Sequence, residues 1–184
     1  MLNFLKTFSI FLLITFFANI TSANSQENNT KVTIGVPLYV YHPDDRPGSR
    51  DWNDGWFENE GVFADVSWPV YSFGASTDLR LGATAGVFDN SIFDTSVFVG
   101  GMAEIETHAT DRVFFNAGTY AGLITGYDMA VGPAMAPYAG AGYHLTDKVE
   151  IGLRGVWLPA KTIAGSEDAP SDAYVGTVTI GTRF

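Results

Sequence analysis

The chain has 184 residues, no cysteine, a formal charge of −10, and 20 glycines beside 14 phenylalanines, 8 tyrosines and 4 tryptophans. That length fits one domain, and the missing cysteines exclude a disulfide framework, thiol catalysis and thiolate zinc sites. The acidity excludes a nucleic-acid binder, because little here could neutralise a phosphate backbone, and an apolar share of 46% argues against disorder.

Residues 1–23 read as a signal peptide: one early lysine, an apolar run from Phe8 to Phe17, then Thr21-Ser22-Ala23 as a small-residue cleavage site. The run is too short to cross roughly 30 Å of hydrocarbon as a helix. No later segment is a membrane helix either, since Met129 to Thr146 is broken by Pro133, Pro137 and three glycines. An exported domain over 24–184 is expected.

Eight segments then alternate with the period of a strand. In 32–41, Val32, Ile34, Val36, Leu38 and Val40 share a face. In 61–68, Val62, Ala64, Val66 and Trp68 oppose Phe63, Asp65 and Ser67. In 78–87, Leu79, Leu81, Ala83, Ala85 and Val87 oppose Asp78, Arg80, Gly82, Thr84 and Gly86. The 95–105 segment sets Val97, Val99, Ala103 and Ile105 against Phe98, Met102 and Glu104. In 112–123, Val113, Phe115 and Ala117 oppose Arg112, Asn116 and Gly118. Segments 134–145 and 149–158 follow, the latter with Ile151 and Leu153 opposite Arg154. The last runs from Tyr174 to Phe184, apolar on one face and small or polar on the other, and ends on an aromatic.

Eight alternating strands with charged inner positions predict an all-β, eight-stranded antiparallel transmembrane β-barrel in the bacterial outer membrane. The inner charges (Asp65, Asp78, Arg80, Glu104, Arg112, Arg154) are expected to pair across neighbouring strands. Connections 43–60, 88–94, 124–133 and 159–173 would face outside, and 69–77, 106–111 and 146–148 the periplasm. Aromatics near both ends, such as Tyr39, Trp157, Trp68 and Phe184, suit the two interfaces.

Residues able to do chemistry gather at the outer rim. His42 closes the first strand, and Phe88-Asp89-Asn90-Ser91 closes the third. A histidine that takes a hydroxyl proton, beside a carboxylate or amide that orients it, is the kit for acyl transfer. His108 and His144 fall near periplasmic turns and read as surface residues. The acidic outer loops (Asp44, Asp45, Asp51, Asp54, Glu58, Glu60; Glu167, Asp168, Asp172) read as solvated, mutually repelling segments. A divalent-cation bridge to lipopolysaccharide is the sharper alternative, but no fixed ligand spacing marks one. No metal site is expected.

In order and spacing the chain resembles the outer-membrane lipid A palmitoyltransferase (PagP-type) family. Pro37-Leu38-Tyr39-Val40-Tyr41-His42 resembles that family's first-strand proline followed five residues later by its histidine, and Phe88-Asp89-Asn90-Ser91 resembles its Phe-x-Asp-Ser segment. Trp52-Asn53 with Gly61-Val62-Phe63, then Pro133, Pro137 and Tyr143, then Trp157-Leu158-Pro159, resemble its later landmarks. The resemblance implies acyl transfer from phospholipid to lipid A without a cofactor. His42, Asn90, Ser91 and Asp89 would be catalytic. The acyl chain would lie in the upper barrel, and Pro37, Pro133, Pro137 and Pro159 would flank lateral gaps, proline lacking a ladder donor. Phospholipid and lipid A are the expected partners, with the chain a monomer.

Three departures stand out. Asn90 replaces the family's aspartate, and an amide can orient an imidazole without stabilising its charge. The family's amphipathic N-terminal helix is absent from 24–30. Met102 stands where the family's pocket floor has glycine, which would shorten or close the cavity. The alternative function is a non-catalytic small barrel with a structural or surface-interaction role.

Overall fold

The structure, a computed structural model, describes residues 29–43, 56–58, 60–89, 95–126, 129–159 and 172–184. The expected signal segment, Asn90, Ser91 and most of the acidic loop residues lie outside these. Strands run β1 Lys31–Tyr41, β2 Trp56–Glu58, β3 Gly61–Ser72, β4 Thr77–Asp89, β5 Thr95–His108, β6 Val113–Gly126, β7 Met129–His144, β8 Val149–Leu158 and β9 Ala173–Arg183. Consecutive strands from β3 to β9 pair antiparallel, and β1 pairs with both β3 and β9. The first and last ladders therefore meet and the sheet closes. β2 pairs with β1 from Tyr39↔Glu58 to Tyr41↔Trp56, beyond the point where the β1–β3 ladder ends at Gly35↔Phe63. It carries the line of β3 outward, so the barrel has eight staves. Each of the eight staves thus has a paired neighbour on both sides.

The alternation in the sequence becomes the inside and outside of this wall. Leu81, Val99, Ile105, Leu123, Leu153 and Ile180 are exposed on the outer face, while Arg80, Glu104, Glu106, Lys31 and Asp65 are buried inside. An apolar outer band around a polar interior is the pattern of a barrel solvated by lipid. Aromatics mark both ends of the band: Tyr39, Trp157 and Tyr174 at one, Trp68, Tyr71, Phe73, Tyr143 and Phe184 at the other.

Strands outrun their expected limits at several points. Pro69 lies inside β3, at the register shift between Pro69 and Tyr71, because a bulge removes the need for its missing donor. Pro133 and Pro137 lie inside β7 opposite Leu123 and Thr119. β5 continues to His108, so the turn after it is shorter than expected. In that turn Thr110 Oγ1 accepts from the N–H groups of Arg112 (3.2 Å) and Val113 (2.9 Å). Thr146 Oγ1 accepts from Lys148 (3.2 Å) and Val149 (3.0 Å) in the same way, so both Thr-Asp-basic-Val turns close alike.

The inner half of the barrel is filled by one ionic network. Lys31 Nζ bonds Glu104 at 3.1 Å and Glu106, with Glu150 at 3.4 Å. Arg183 Nη2 holds Glu106 at 2.8 Å and Glu150 at 2.9 Å. Higher up, Arg154 meets Asp65 at 2.9 Å and Glu104 at 3.4 Å and also bonds the Tyr120 hydroxyl. Tyr138 donates to Glu104 at 3.0 Å and Asn116 does likewise at 3.0 Å. Such charges persist in a low-dielectric interior only when each has several partners. Two arginines depart from the expectation: Arg112 is exposed in its turn and donates to the Tyr143 hydroxyl at 3.1 Å, and buried Arg80 bonds Ser67 Oγ (3.2 Å) and the Asn29 carbonyl (2.7 Å), with no ion pair among the described residues. Asp78 stays at the rim, accepting from Ser72 Oγ at 2.6 Å.

Candidate functional site

Above that network the interior turns apolar and encloses a cavity of about 110 Å³. Its floor is aromatic. Tyr120 stacks on Tyr138 at 4.6 Å between ring centres and meets Phe63 and Phe98 edge-on at 6.1 and 6.4 Å. Its walls are Pro37 and Val40 of β1, Gly86 and Phe88 of β4, Ile124 of β6, Ala134 and Ala136 of β7, Val156 and Leu158 of β8, and Val175 of β9. Small residues on β7 leave the space that the phenylalanines opposite do not fill. Among the lining residues only His42, Thr84 and Thr177, with the Tyr120 hydroxyl turned down to Asp65, bring polar side chains.

His42 reaches this cavity because of a single irregularity. Strict alternation places it on the face of Val36 and Leu38, towards lipid. The β1–β9 register instead passes from Pro37↔Thr177 to Tyr39↔Gly176 and skips Leu38. Leu38 and Tyr39 consequently both face out, at 45% and 50% exposure, and Val40 and His42 turn in, at 3% and 2%. The expected grouping of Val40 with Val32 and Val36 is thus corrected by a bulge, which re-aims every residue after it. Deleting Leu38 is expected to remove the bulge and leave Val40 and His42 facing in, because Tyr39 then follows Pro37 directly in the register the two strands already share. The cysteine-free background makes this measurable: His42→Cys should resist a lipid-soluble maleimide both with Leu38 present and with it removed, and labelling of the shortened strand would show that the register had slipped instead.

The other expected site residues fall at different distances from this point. Asp89 ends β4, half-buried, with its backbone N–H on Glu60 O (2.8 Å) and its side chain accepting from Thr95 Oγ1 (3.3 Å). Asn90 and Ser91 follow it outside the described residues. Pro37 is buried and lines the cavity. Met102 does not line it: it is buried in the cluster of Tyr120, Ala136 and Tyr138, with Phe63 and Phe98 packed against that cluster. Pro133 is exposed and Pro137 half-buried, both facing away from the cavity on β7, while Pro159 follows β8 half-buried.

The two β7 prolines share a parity, so their missing donors lie on one edge of the strand. The β7–β8 ladder begins at Tyr138↔Val156 and runs inward, leaving β7 outward of Tyr138 without a partner on that side among the described residues. Ala134 and Ala136 on one lip and Val156 and Leu158 on the other all line the cavity. A seam in the wall therefore stands at the level of the apolar chamber.

His108 and His144, expected at turn surfaces, stack in parallel at 5.3 Å and 9° over Phe114 at the opposite end of the barrel. Each also stands near a buried carboxylate, His108 Nε2 at 3.3 Å from Glu106 and His144 Nδ1 at 3.7 Å from Glu150. They belong to the ionic half and lie apart from the cavity. Thr177 and Tyr120 were not anticipated as cavity residues. The inward face of the last strand, on which Thr177 alternates with the outward Tyr174 and Val178, was the available signal for the first.

These features define an eight-stranded transmembrane barrel of the outer-membrane type, with an ion-paired inner half and an apolar upper chamber. No known protein family matches the sequence, and no curated protein does. Among solved structures it is similar to a de novo designed transmembrane β-barrel, with a TM-score of 0.56, 11% identity, and 87% of this chain and 98% of that one covered. It is also similar to the outer membrane enzyme PagL (TM-score 0.55, 14% identity, 84% and 99% covered). A third is Neisserial surface protein A (TM-score 0.56, 11% identity, 86% and 98% covered). At such identities the shared property is the fold, and function has to be read from the site itself.

Proposed function

We propose that this barrel binds one acyl chain of a membrane lipid in its upper chamber and transfers it to lipid A, as its resemblance to the PagP-type family implies. The observation that carries the reading is a buried histidine aimed into an apolar cavity that lies beside a seam in the wall. Hydrocarbon gains nothing by leaving lipid for a polar, ion-filled lumen, so an apolar-lined chamber suits a chain better than a hydrated solute. Entry from the membrane plane through the β7–β8 seam spares the chain any passage through water.

In this reading His42 takes the proton from the hydroxyl that attacks the acyl carbonyl, whether that of Ser91 or of the acceptor sugar. The new C–O ester bond forms, the donor ester C–O bond breaks, and the imidazolium returns its proton to the leaving alkoxide. Asn90 and Asp89 would orient the imidazole or the developing oxyanion.

Mass spectrometry of lipid A from cells expressing the wild type, His42→Ala and Ser91→Ala tests this. An added acyl chain is expected in the wild type and absent in both variants, with all three retaining the heat-shifted gel mobility of a folded barrel. Identical lipid A in wild-type and vector-only cells would instead leave a non-catalytic small barrel.

A further inference from the structure

The polar atoms beneath the chamber are not all satisfied. Thr177 is 3% exposed, lines the cavity, and its Oγ1 finds no hydrogen-bond partner among the described residues. Its register neighbour Arg154 has Nε in the same state, and Asp65, the ion-pair partner of Arg154, has Oδ1 so. Directly opposed inward side chains on adjacent strands stand roughly 5 Å apart at Cβ, so the Thr177 and Arg154 deficits lie at one level. A buried hydroxyl without a partner forfeits a hydrogen bond that water would supply in the unfolded chain. Saturated hydrocarbon lying against Thr177 leaves that deficit in place. A hydroxyl on the chain removes it, because it can donate to and accept from the threonine.

The depth of Thr177 says where on the chain that hydroxyl belongs. β1 and β9 pair at Tyr41↔Tyr174, so His42 stands level with Ala173, four residues outward of Thr177. At about 3.3 Å per residue that separation is about 13 Å. Single bonds of about 1.5 Å at about 111° advance a zigzag chain by roughly 1.3 Å per carbon, which brings about the tenth carbon to Thr177.

We infer that the chamber is specific for a hydroxylated acyl chain, Thr177 recognising a hydroxyl about ten carbons from the carbonyl held at His42. The inference rests on the acyl-chain reading above and names the substrate class for it.

The test uses the purified barrel in detergent, with decanoic, 10-hydroxydecanoic and 3-hydroxydecanoic acids as probes and bound acid counted by native mass spectrometry. The 10-hydroxy acid is expected to bind about tenfold more tightly than decanoic acid, the ratio one buried hydrogen bond supplies. The 3-hydroxy acid should gain nothing. Thr177→Ser should keep the preference and the near-isosteric Thr177→Val should abolish it while still binding decanoic acid. Equal binding of decanoic and 10-hydroxydecanoic acids by the wild type, or a preference that survives Thr177→Val, would overturn the inference and leave the acyl-chain reading standing. No binding of any acid would overturn both.

Discussion

Replacing Arg154 with leucine is expected to destabilise the barrel by about 3–5 kcal/mol, the range for breaking a buried ion pair from one side. Arg154 is 5% exposed and is the sole cation within 4 Å of Asp65 among the described residues. Its removal leaves that carboxylate in the interior with one hydrogen bond, from the Tyr120 hydroxyl at 2.9 Å. Glu104 fares better, because Lys31, Asn116 and Tyr138 still hold it. The guanidinium also lies 4.3 Å from the centre of the Tyr138 ring, a further contact that leucine lacks. Urea unfolding in lipid vesicles, followed by the gel shift between folded and unfolded forms, measures the loss. Adding Asp65→Leu to the same chain should recover part of it, because the stranded charge is then gone. A loss below about 1 kcal/mol for Arg154→Leu alone would show that the network does not organise the interior.

The second large effect is expected at Gly122, where a valine should prevent the barrel from closing. Gly100 and Gly122 face each other across the β5–β6 ladder. A Cβ built on Gly122 falls 2.2 Å from the Val99 carbonyl oxygen and 2.6 Å from the Gly100 Cα. Both obstacles are backbone, so no side-chain rotation relieves them, and the two strands have to part at mid-wall. Gly101→Val is the control: its Cβ meets nothing nearer than the Gly82 oxygen at 3.5 Å, and it points outward. Refolding each variant into vesicles should yield the compact gel species for Gly101→Val and only the unfolded species for Gly122→Val. Equal yields would mean that the wall relaxes around a side chain at this position.

Much of this architecture was legible because a barrel strand repeats every two residues and exposes opposite faces to opposite solvents. Leu79, Leu81 and Ala83 against Arg80, Gly82 and Thr84 read the same way in the sequence and in the wall. The rim aromatics and the inward placement of Asp65, Glu104 and Arg154 follow from the same rule. What escaped it were the points where the period breaks. The bulge at Leu38 costs one residue of register and moves His42 from the lipid face to the cavity, with only the preceding Pro37 as a hint. The bulge at Pro69 and the long β7 with its two internal prolines escaped for a related reason. A proline forbids one hydrogen bond, and whether a neighbour needed that bond depends on a strand far away in the chain.

The candidate site divides along the same line. His42, Pro37 and Asp89 could be named from spacing, since each ends or interrupts a strand. Met102 could be named too, but its packing beneath Tyr120 instead of in the chamber depends on which rings arrive from β3, β5 and β6. The unmet hydroxyl of Thr177 was beyond reach of the sequence altogether, because an unpaired atom is defined by all of its surroundings.

By itself the sequence determined an exported, cysteine-free, acidic chain of eight alternating strands that closes as a membrane barrel, because alternation is a local property of each strand. The tertiary structure alone decided that the inner half is locked by ion pairs, that the outer half holds an apolar chamber, and that His42 faces into it. Those outcomes depend on register between strands, and a shift of one residue reverses every side chain beyond it.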